Sequence, residues 1–196
     1  MGSSFELVEP KLHPPPARPG IVARAGLVDR LLALDAVPVV CVVAPAGYGK
    51  TTLLAQWAQR TASRVGWVSV DERDNDPAVL LTYLAVALER VEPIDPRVVR
   101  GLAGPGGSTL GAVSRLAASM AAMTGPVAVV LDHLEVLENQ ACLDLVAELA
   151  AQLPAGSQLL VASRSRSPLP VGLLRAQGRV VELGVEELAM DHQEAR

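Results

Sequence analysis

Residues 38–52, PVVCVVAPAGYGKTT, set a short β-branched run against a glycine-bearing turn, followed by a lysine and two threonines that open an apolar helix. The pattern G-x-x-x-x-G-K-S/T is met at Gly49, Lys50 and Thr51, with Ala44 in the place of the first glycine. Gly47 and Gly49 let the backbone turn so that successive N–H groups converge on an anion with no Cβ in the way. A helix opening near Gly49 adds unpaired N–H groups and the positive end of its dipole. Lys50 offers a compact charge to the β- and γ-phosphates, and the Thr51 hydroxyl is suited to ligating Mg²⁺. Ala46, Tyr48 and Thr52 complete the candidate phosphate-binding set. Of the chain's 17 lysines and arginines only Lys11 and Lys50 are lysines, so a composition that uses arginine almost everywhere keeps a lysine here.

Working outward, the pattern predicts strand one over 39–44 and then a helix that buries Leu53, Leu54, Trp57 and Ala58. A helix is expected before it at 25–36, with Leu27, Leu31, Leu32 and Leu34 as its apolar side. Residues 5–20 hold five prolines, at 10, 14, 15, 16 and 19, and are read as an extended surface arm, neither helix nor central strand. Strand two is expected over 65–70, after which Asp76 and Pro77 form a cap and first-turn proline for a helix burying Leu80, Tyr83, Leu84, Ala87 and Val91. Residues 101–108, with four glycines and a proline, read as a loop. An amphipathic helix through Leu110, Val113, Leu116, Ala117 and Met120 stops at Gly125-Pro126.

Strand three is expected over 127–132, a helix from Asn139, strand four over 158–163 and strand five over 179–183. Apolar strands without period-two polarity, alternating with helices, imply a parallel sheet covered on both faces. The fold class is α/β: a P-loop NTPase with roughly five parallel strands. The expected organisation is an N-terminal arm over 1–20, the nucleotide-binding domain over 21–184, and the approach to a further segment over 185–196.

A P-loop requires a second carboxylate for its magnesium shell, usually at the end of a buried strand. Asp132, closing Val129-Val130-Leu131, is the candidate. His133, Glu135, Asp71 and Glu72 all lie where a hydrolytic base would sit, and the residue types do not choose among them. Arg164 follows strand four on the ligand edge of a parallel sheet and is a candidate contact for the γ-phosphate.

The formal net charge of −4 over 196 residues argues against a general electrostatic grip on nucleic acid by this segment. Cys41 and Cys142 have no C-x-x-C spacing and read as reduced buried thiols, the usage of a cytoplasmic protein. No apolar stretch reaches the roughly 18 residues needed to span a bilayer, and the N-terminus has no charged-then-apolar signal pattern. Residues 1–4, native sequence or a cloning remnant, carry no weight in the fold reading.

Several further pieces coincide with one family: KLHPP at 11–15, Val22-Ala23-Arg24, APAGYGKTT at 44–52 with Trp57, the segment 71–77 with its DNDP, Leu131-Asp132, and Ser163-Arg164 through Leu169-Pro170. On these the chain resembles the nucleotide-binding domain of STAND-class P-loop ATPases, in the MalT-like branch of large LuxR-type transcriptional activators. The resemblance runs over roughly residues 7–195, and the family tolerates alanine at the first Walker position. It implies an ATP/ADP switch with Mg²⁺ that self-associates on ATP binding and activates transcription. It also implies base or ribose contacts from Val22 and Arg24, and a sensing role for Arg164. DNA contact in that family belongs to a helix-turn-helix not found in this sequence, and the inducer to a helical-repeat segment likewise not found. The chain is accordingly expected to be an excised domain or a short relative. Many relatives carry a second acid after the Walker-B aspartate, where this chain has His133, which leaves hydrolysis an open question. An ordinary P-loop small-molecule kinase and a non-hydrolysing nucleotide-binding scaffold stand as alternatives.

Overall fold

The structure, a computed structural model, describes residues 6–16, 20, 22–94, 109–165 and 169–189. Its strands are β1 (Val39–Val43), β2 (Arg64–Ser69), β3 (Val127–Asp132), β4 (Gln158–Ser163) and β5 (Val180–Leu183). They form one sheet in the order β2-β3-β4-β1-β5, with every pairing parallel. β3 and β4 are buried at every position. That is what continuous apolar runs require when helices cover both faces of a parallel sheet.

Seven α-helices are described: α1 (Ala25–Leu32), α2 (Lys50–Ala58), α3 (Pro77–Val91), α4 (Thr109–Ala122), α5 (Gln140–Ala151), α6 (Gly172–Ala176) and α7 (Val185–Leu188). Alternate strand residues feed two cores. Val39, Cys41, Val127, Val129, Leu131, Leu159 and Val161 face α3, α4 and α5. Val40, Val42, Ala128, Val130, Leu160 and Ala162 face α1, α2 and α7, together with Trp57 and Trp67. The P-loop helix α2 is therefore anchored by Leu53, Leu54 and Trp57, all essentially inaccessible to solvent. On the opposite face α3 lies so close to β2 that a Cβ added to Gly66 would sit 3.1 Å from the Ala87 carbonyl oxygen.

The cap expected at Asp76 is present: its carboxylate accepts from Ala78 N–H at 2.8 Å and Val79 N–H at 3.3 Å. Cys41 and Cys142 are both buried, and burial pushes the Cys142 thiol up to about 11. No helix among the described residues is long and apolar enough to cross a membrane.

Two expectations need correction. Helix α1 ends at Leu32 rather than 36, because Leu34 and Val37 N–H groups bond to carbonyls three residues back and tighten the chain into turns toward β1. The N-terminal arm is not extended over all of its described residues. Glu9–Leu12 forms a 3₁₀ turn with Pro10 in its first turn, which suits proline because no N–H is needed there. Lys11 and Leu12 are buried. The Lys11 ammonium lies 2.6 Å from Asp74, 3.1 Å from Asp71 and 4.1 Å from the Tyr83 ring centre, while Val8 N–H donates to the Tyr83 hydroxyl at 3.1 Å. Thus one of the two lysines staples the arm to the loop after β2. The loop expected over 101–108 lies outside the described residues.

Candidate nucleotide-binding site

At the C-terminal end of β1 the chain turns through Gly47 at φ 90° and Gly49 at φ 73°, and Gly49 is the left-handed N-cap of α2. A Cβ at either glycine would meet nothing within 4 Å, so it is the backbone conformation and not space that calls for glycine. Ala44 is not among the residues of positive φ; its methyl is buried in the core and its N–H donates to the Ser163 carbonyl at 3.2 Å. This is why alanine serves where the sequence pattern has its first glycine.

Lys50 begins α2, is 7% exposed, and donates from Nζ to the Ala44 carbonyl at 2.5 Å and the Pro45 carbonyl at 2.9 Å. Its pKa is lowered by burial, with Arg164 adding to the effect while Glu135 and Asp132 oppose it. An ammonium held only by neutral carbonyls in a desolvated position gains from an incoming anion.

Asp132 closes β3 at 1% exposure. Its Oδ1 accepts from His133 N–H at 3.0 Å, and its Oδ2 has no hydrogen-bond partner among the described residues. Burial pushes this carboxyl above its ordinary range, with His133 and the nearby Thr51 hydroxyl opposing. A buried carboxylate oxygen left unmatched beside Thr51 fits a cation that arrives with the ligand. Among the described residues no three His, Cys, Asp or Glu side chains group to hold a metal alone.

His133 has φ 63° and ψ 38°, the one non-glycine at positive φ among the described residues. Its Nε2 lies 3.7 Å from Asp132 Oδ2. Histidine is among the residues enriched in this region, and such conformations cluster at functional sites. Arg164 is more than half exposed and is held by Glu135, whose Oε1 meets Nε at 3.0 Å and whose Oε2 accepts the Arg164 N–H at 3.0 Å. Glu135 follows β3 and Arg164 follows β4, whose C-terminal ends lie beside that of β1, so the pair sits on the P-loop edge of the sheet.

The remaining candidates for a base are placed differently. Asp71 caps the 3₁₀ turn Glu72–Asn75, accepting Arg73 N–H at 2.9 Å, and pairs with Lys11. What the sequence reading missed is the part played by Asn75. It donates to the Val136 carbonyl at 2.9 Å and accepts from Glu138 and Asn139 N–H at 2.7 and 3.0 Å, tying the loop after β2 to the loop that carries His133 and Glu135. The clustering of short polar residues at 74–76 is the signal, since Asn and Asp favour such side-chain-to-backbone bonds.

A cavity of about 350 Å³ adjoins the P-loop, lined by Ala46, Gly47, Tyr48, Leu188 and Ala189. Neither Val22 nor Arg24, expected as base or ribose contacts, is among these lining residues. Val22 offers its carbonyl to Gln56 Nε2 at 3.1 Å. Arg24 is 3% exposed and donates to the Leu188 carbonyl at 2.7 Å and the Ala189 carbonyl at 3.3 Å, so it bears on the cavity through the wall it holds. Thr51 and Thr52 are half-buried on the first turn of α2.

The chain is 31% identical over 198 residues to the HTH-type transcriptional regulator MalT of Yersinia enterocolitica, covering 97% of this chain and 21% of that protein. The MalT of Yersinia pestis strain Pestoides F is likewise 31% identical over 192 residues, with the same coverage. The chain thus spans about a fifth of the length of these curated relatives. No family model matches the sequence. Among solved structures, a Walker-type ATPase of Pyrococcus abyssi superposes with a TM-score of 0.57 at 15% identity, over 93% of this chain and 58% of that one. The Aeropyrum pernix ORC1 protein, solved in complex with DNA, gives 0.51 at 19% identity, over 84% of this chain and 45% of that one. At these identities the structural likeness speaks to the P-loop ATPase fold alone.

Proposed function

Because this chain is a MalT-like P-loop NTPase domain, we propose that it is the ATP/ADP-binding switch of a signal-responsive transcriptional regulator. The observation that carries the proposal is the buried Lys50 ammonium, resting on two carbonyls of its own loop across from a buried carboxylate with an unmatched oxygen. The loop N–H groups and the start of α2 receive the phosphates, and Lys50 exchanges the Ala44 and Pro45 carbonyls for phosphate oxygens. Thr51 and Asp132 hold Mg²⁺, which neutralises phosphate charge when bound.

ATP and ADP then differ only at the γ-phosphate, and a switch requires that this difference favour one arrangement over another. Arg164 supplies it. Its present partner, Glu135, is 15% exposed, but the Arg164 end of the ion pair is 59% exposed and screened by water, so the pair is worth about 1 kcal/mol or less and a phosphate can outcompete it. His133, where many relatives carry a second acid, makes hydrolysis slow, so the domain times a state rather than generating product. Self-association in the ATP state, promoter contact through a helix-turn-helix elsewhere in the regulator, and a cytoplasmic location belong to the same proposal.

The test is phosphate release followed over hours for wild type, Lys50→Ala and Arg164→Ala, alongside ATP and ADP affinities. Slow release abolished by Lys50→Ala, with Arg164→Ala weakening ATP more than ADP, is the expected result. Fast turnover that needs an added acceptor would point to a kinase instead. An equal loss of both nucleotides in Arg164→Ala would remove that residue from sensing.

A further inference from the structure

Two asparagines clasp the loop after β2 to the loop after β3, on the edge of the sheet where the P-loop lies. Asn75 Nδ2 donates to the Val136 carbonyl at 2.9 Å, and its Oδ1 accepts from the Glu138 and Asn139 amides at 2.7 and 3.0 Å. The Asn75 carbonyl accepts in turn from Asn139 Nδ2 at 2.7 Å. Asn75 is itself held through its neighbour. Asp74 is wholly buried; its carboxylate receives the Lys11 ammonium at 2.6 Å and the Asp71 N–H at 2.8 Å, and its carbonyl receives the Cys142 thiol at 3.4 Å. On the other side of the clasp, Leu134–Val136 is a single 3₁₀ turn, closed by the Val136 N–H on the His133 carbonyl at 3.1 Å and seated in the core by Leu134. Its middle residue is Glu135, which meets the Nε and the backbone N–H of Arg164 with its two carboxylate oxygens, each at 3.0 Å.

We infer that Asn75 is a positioning residue for the response to the γ-phosphate: by fixing the Val136 carbonyl it aims Glu135 at Arg164, and so sets how readily Arg164 leaves for ATP. The inference rests on the ATP/ADP reading above and deepens it. A 3₁₀ turn has poor hydrogen-bond geometry of its own, and one this short takes its shape from what borders it. Glutamate also loses rotamer freedom when it pairs, so a partly solvated ion pair gains strength when the backbone beneath it is held in advance. With the clasp intact, Glu135 meets Arg164 at little further entropic cost. Without it the turn shifts, Glu135 samples other directions, and Arg164 is freed toward the phosphates. Asn75 thus acts on ATP through Glu135 alone, and leaves ADP, which has no γ-phosphate, unaffected.

The experiment is a double-mutant cycle on the whole chain. Affinities for Mg²⁺–ATP and Mg²⁺–ADP are measured for the wild type, Asn75→Ala, Glu135→Gln and the double variant, each shown to be folded by its thermal transition. Asn75→Ala is expected to tighten ATP by about threefold and to change ADP by less than about 1.5-fold. In the Glu135→Gln background the same substitution is expected to leave the ATP-to-ADP ratio unchanged. A merely structural clasp would lower the Tm and shift both nucleotides alike. An unchanged ratio in Asn75→Ala therefore overturns the inference, as does a changed ratio that persists once Glu135 has lost its charge. Should Asn75→Ala not fold, Asn75→Asp, which keeps the acceptor for the two amides and loses the donor to Val136, is read by the same criteria. Failure of the wild type to bind either nucleotide would overturn the nucleotide reading itself.

Discussion

Replacing Asp132 by asparagine should raise the stability of the ligand-free domain and at the same time remove most of its stabilisation by Mg²⁺–ATP. The carboxylate is 1% exposed, one of its oxygens accepts no hydrogen bond among the described residues and has only the His133 ring 3.7 Å away, and burial already disfavours its charged form. A buried acceptor left unsatisfied costs about 1–3 kcal/mol, and more when charged. The neutral amide keeps the shape and removes the charge, so a gain of about 1–2 kcal/mol is expected. For a chain of this size that is roughly 2–8 °C in Tm. Ligand at a hundred times its Kd stabilises the wild type by about 2.7 kcal/mol, a further rise of roughly 5–11 °C. The amide of the Asp132→Asn variant cannot hold Mg²⁺ as a carboxylate does, and most of that second increment should vanish. Thermal unfolding of both proteins, with EDTA and with Mg²⁺–ATP, reads the two effects separately. A lower ligand-free Tm in Asp132→Asn, or an undiminished nucleotide increment, would refute the reasoning and reduce Asp132 to a strand-end cap.

Three further outcomes follow from the geometry. Glu135→Gln removes the charge that holds Arg164, and ATP should bind more tightly by up to about fivefold with ADP little changed; equal shifts for both nucleotides would show that the ion pair does not compete with the γ-phosphate. Gly66→Ala forces a methyl against the Ala87 carbonyl and should destabilise by about 1–3 kcal/mol, whereas an unchanged denaturation midpoint would mean that α3 yields without cost. The hydrogen bond from Arg64 holds the Glu92 carboxyl below its ordinary value of 4.5. A depressed acid adds stability above its unfolded pKa and loses it as pH falls through its folded one, so the Tm gap between wild type and Glu92→Gln should be present at pH 7 and close in acid; a gap that widens in acid contradicts the assignment.

The parts of this site that could be read from sequence are those whose physics is local. Gly47 and Gly49 announce a turn because positive φ selects glycine, Asp76-Pro77 announces a helix start because the cap and the missing N–H act within one turn, and the apolar run at 127–132 announces a doubly covered strand. What escaped is carried by single side chains reaching across the chain. Lys11 meets Asp74 across 63 positions, Arg24 meets Leu188 across 164, and Asn75 meets Val136 across 61. Such bonds have no period and no composition, and each becomes visible only when the parallel sheet has brought the segments together. The extended surface reading fails at 9–12 for the same reason: the prolines there leave room only for a short 3₁₀ turn, but they say nothing of a lysine that the loop after β2 draws inward.

The central claim is that this loop binds a nucleotide through Lys50, and isothermal titration of Mg²⁺–ATP and Mg²⁺–ADP into wild type and Lys50→Ala tests it most directly. Saturable one-to-one binding of both nucleotides to the wild type is expected, with none measurable in Lys50→Ala and the variant still folded. Unchanged affinity in Lys50→Ala would contradict it.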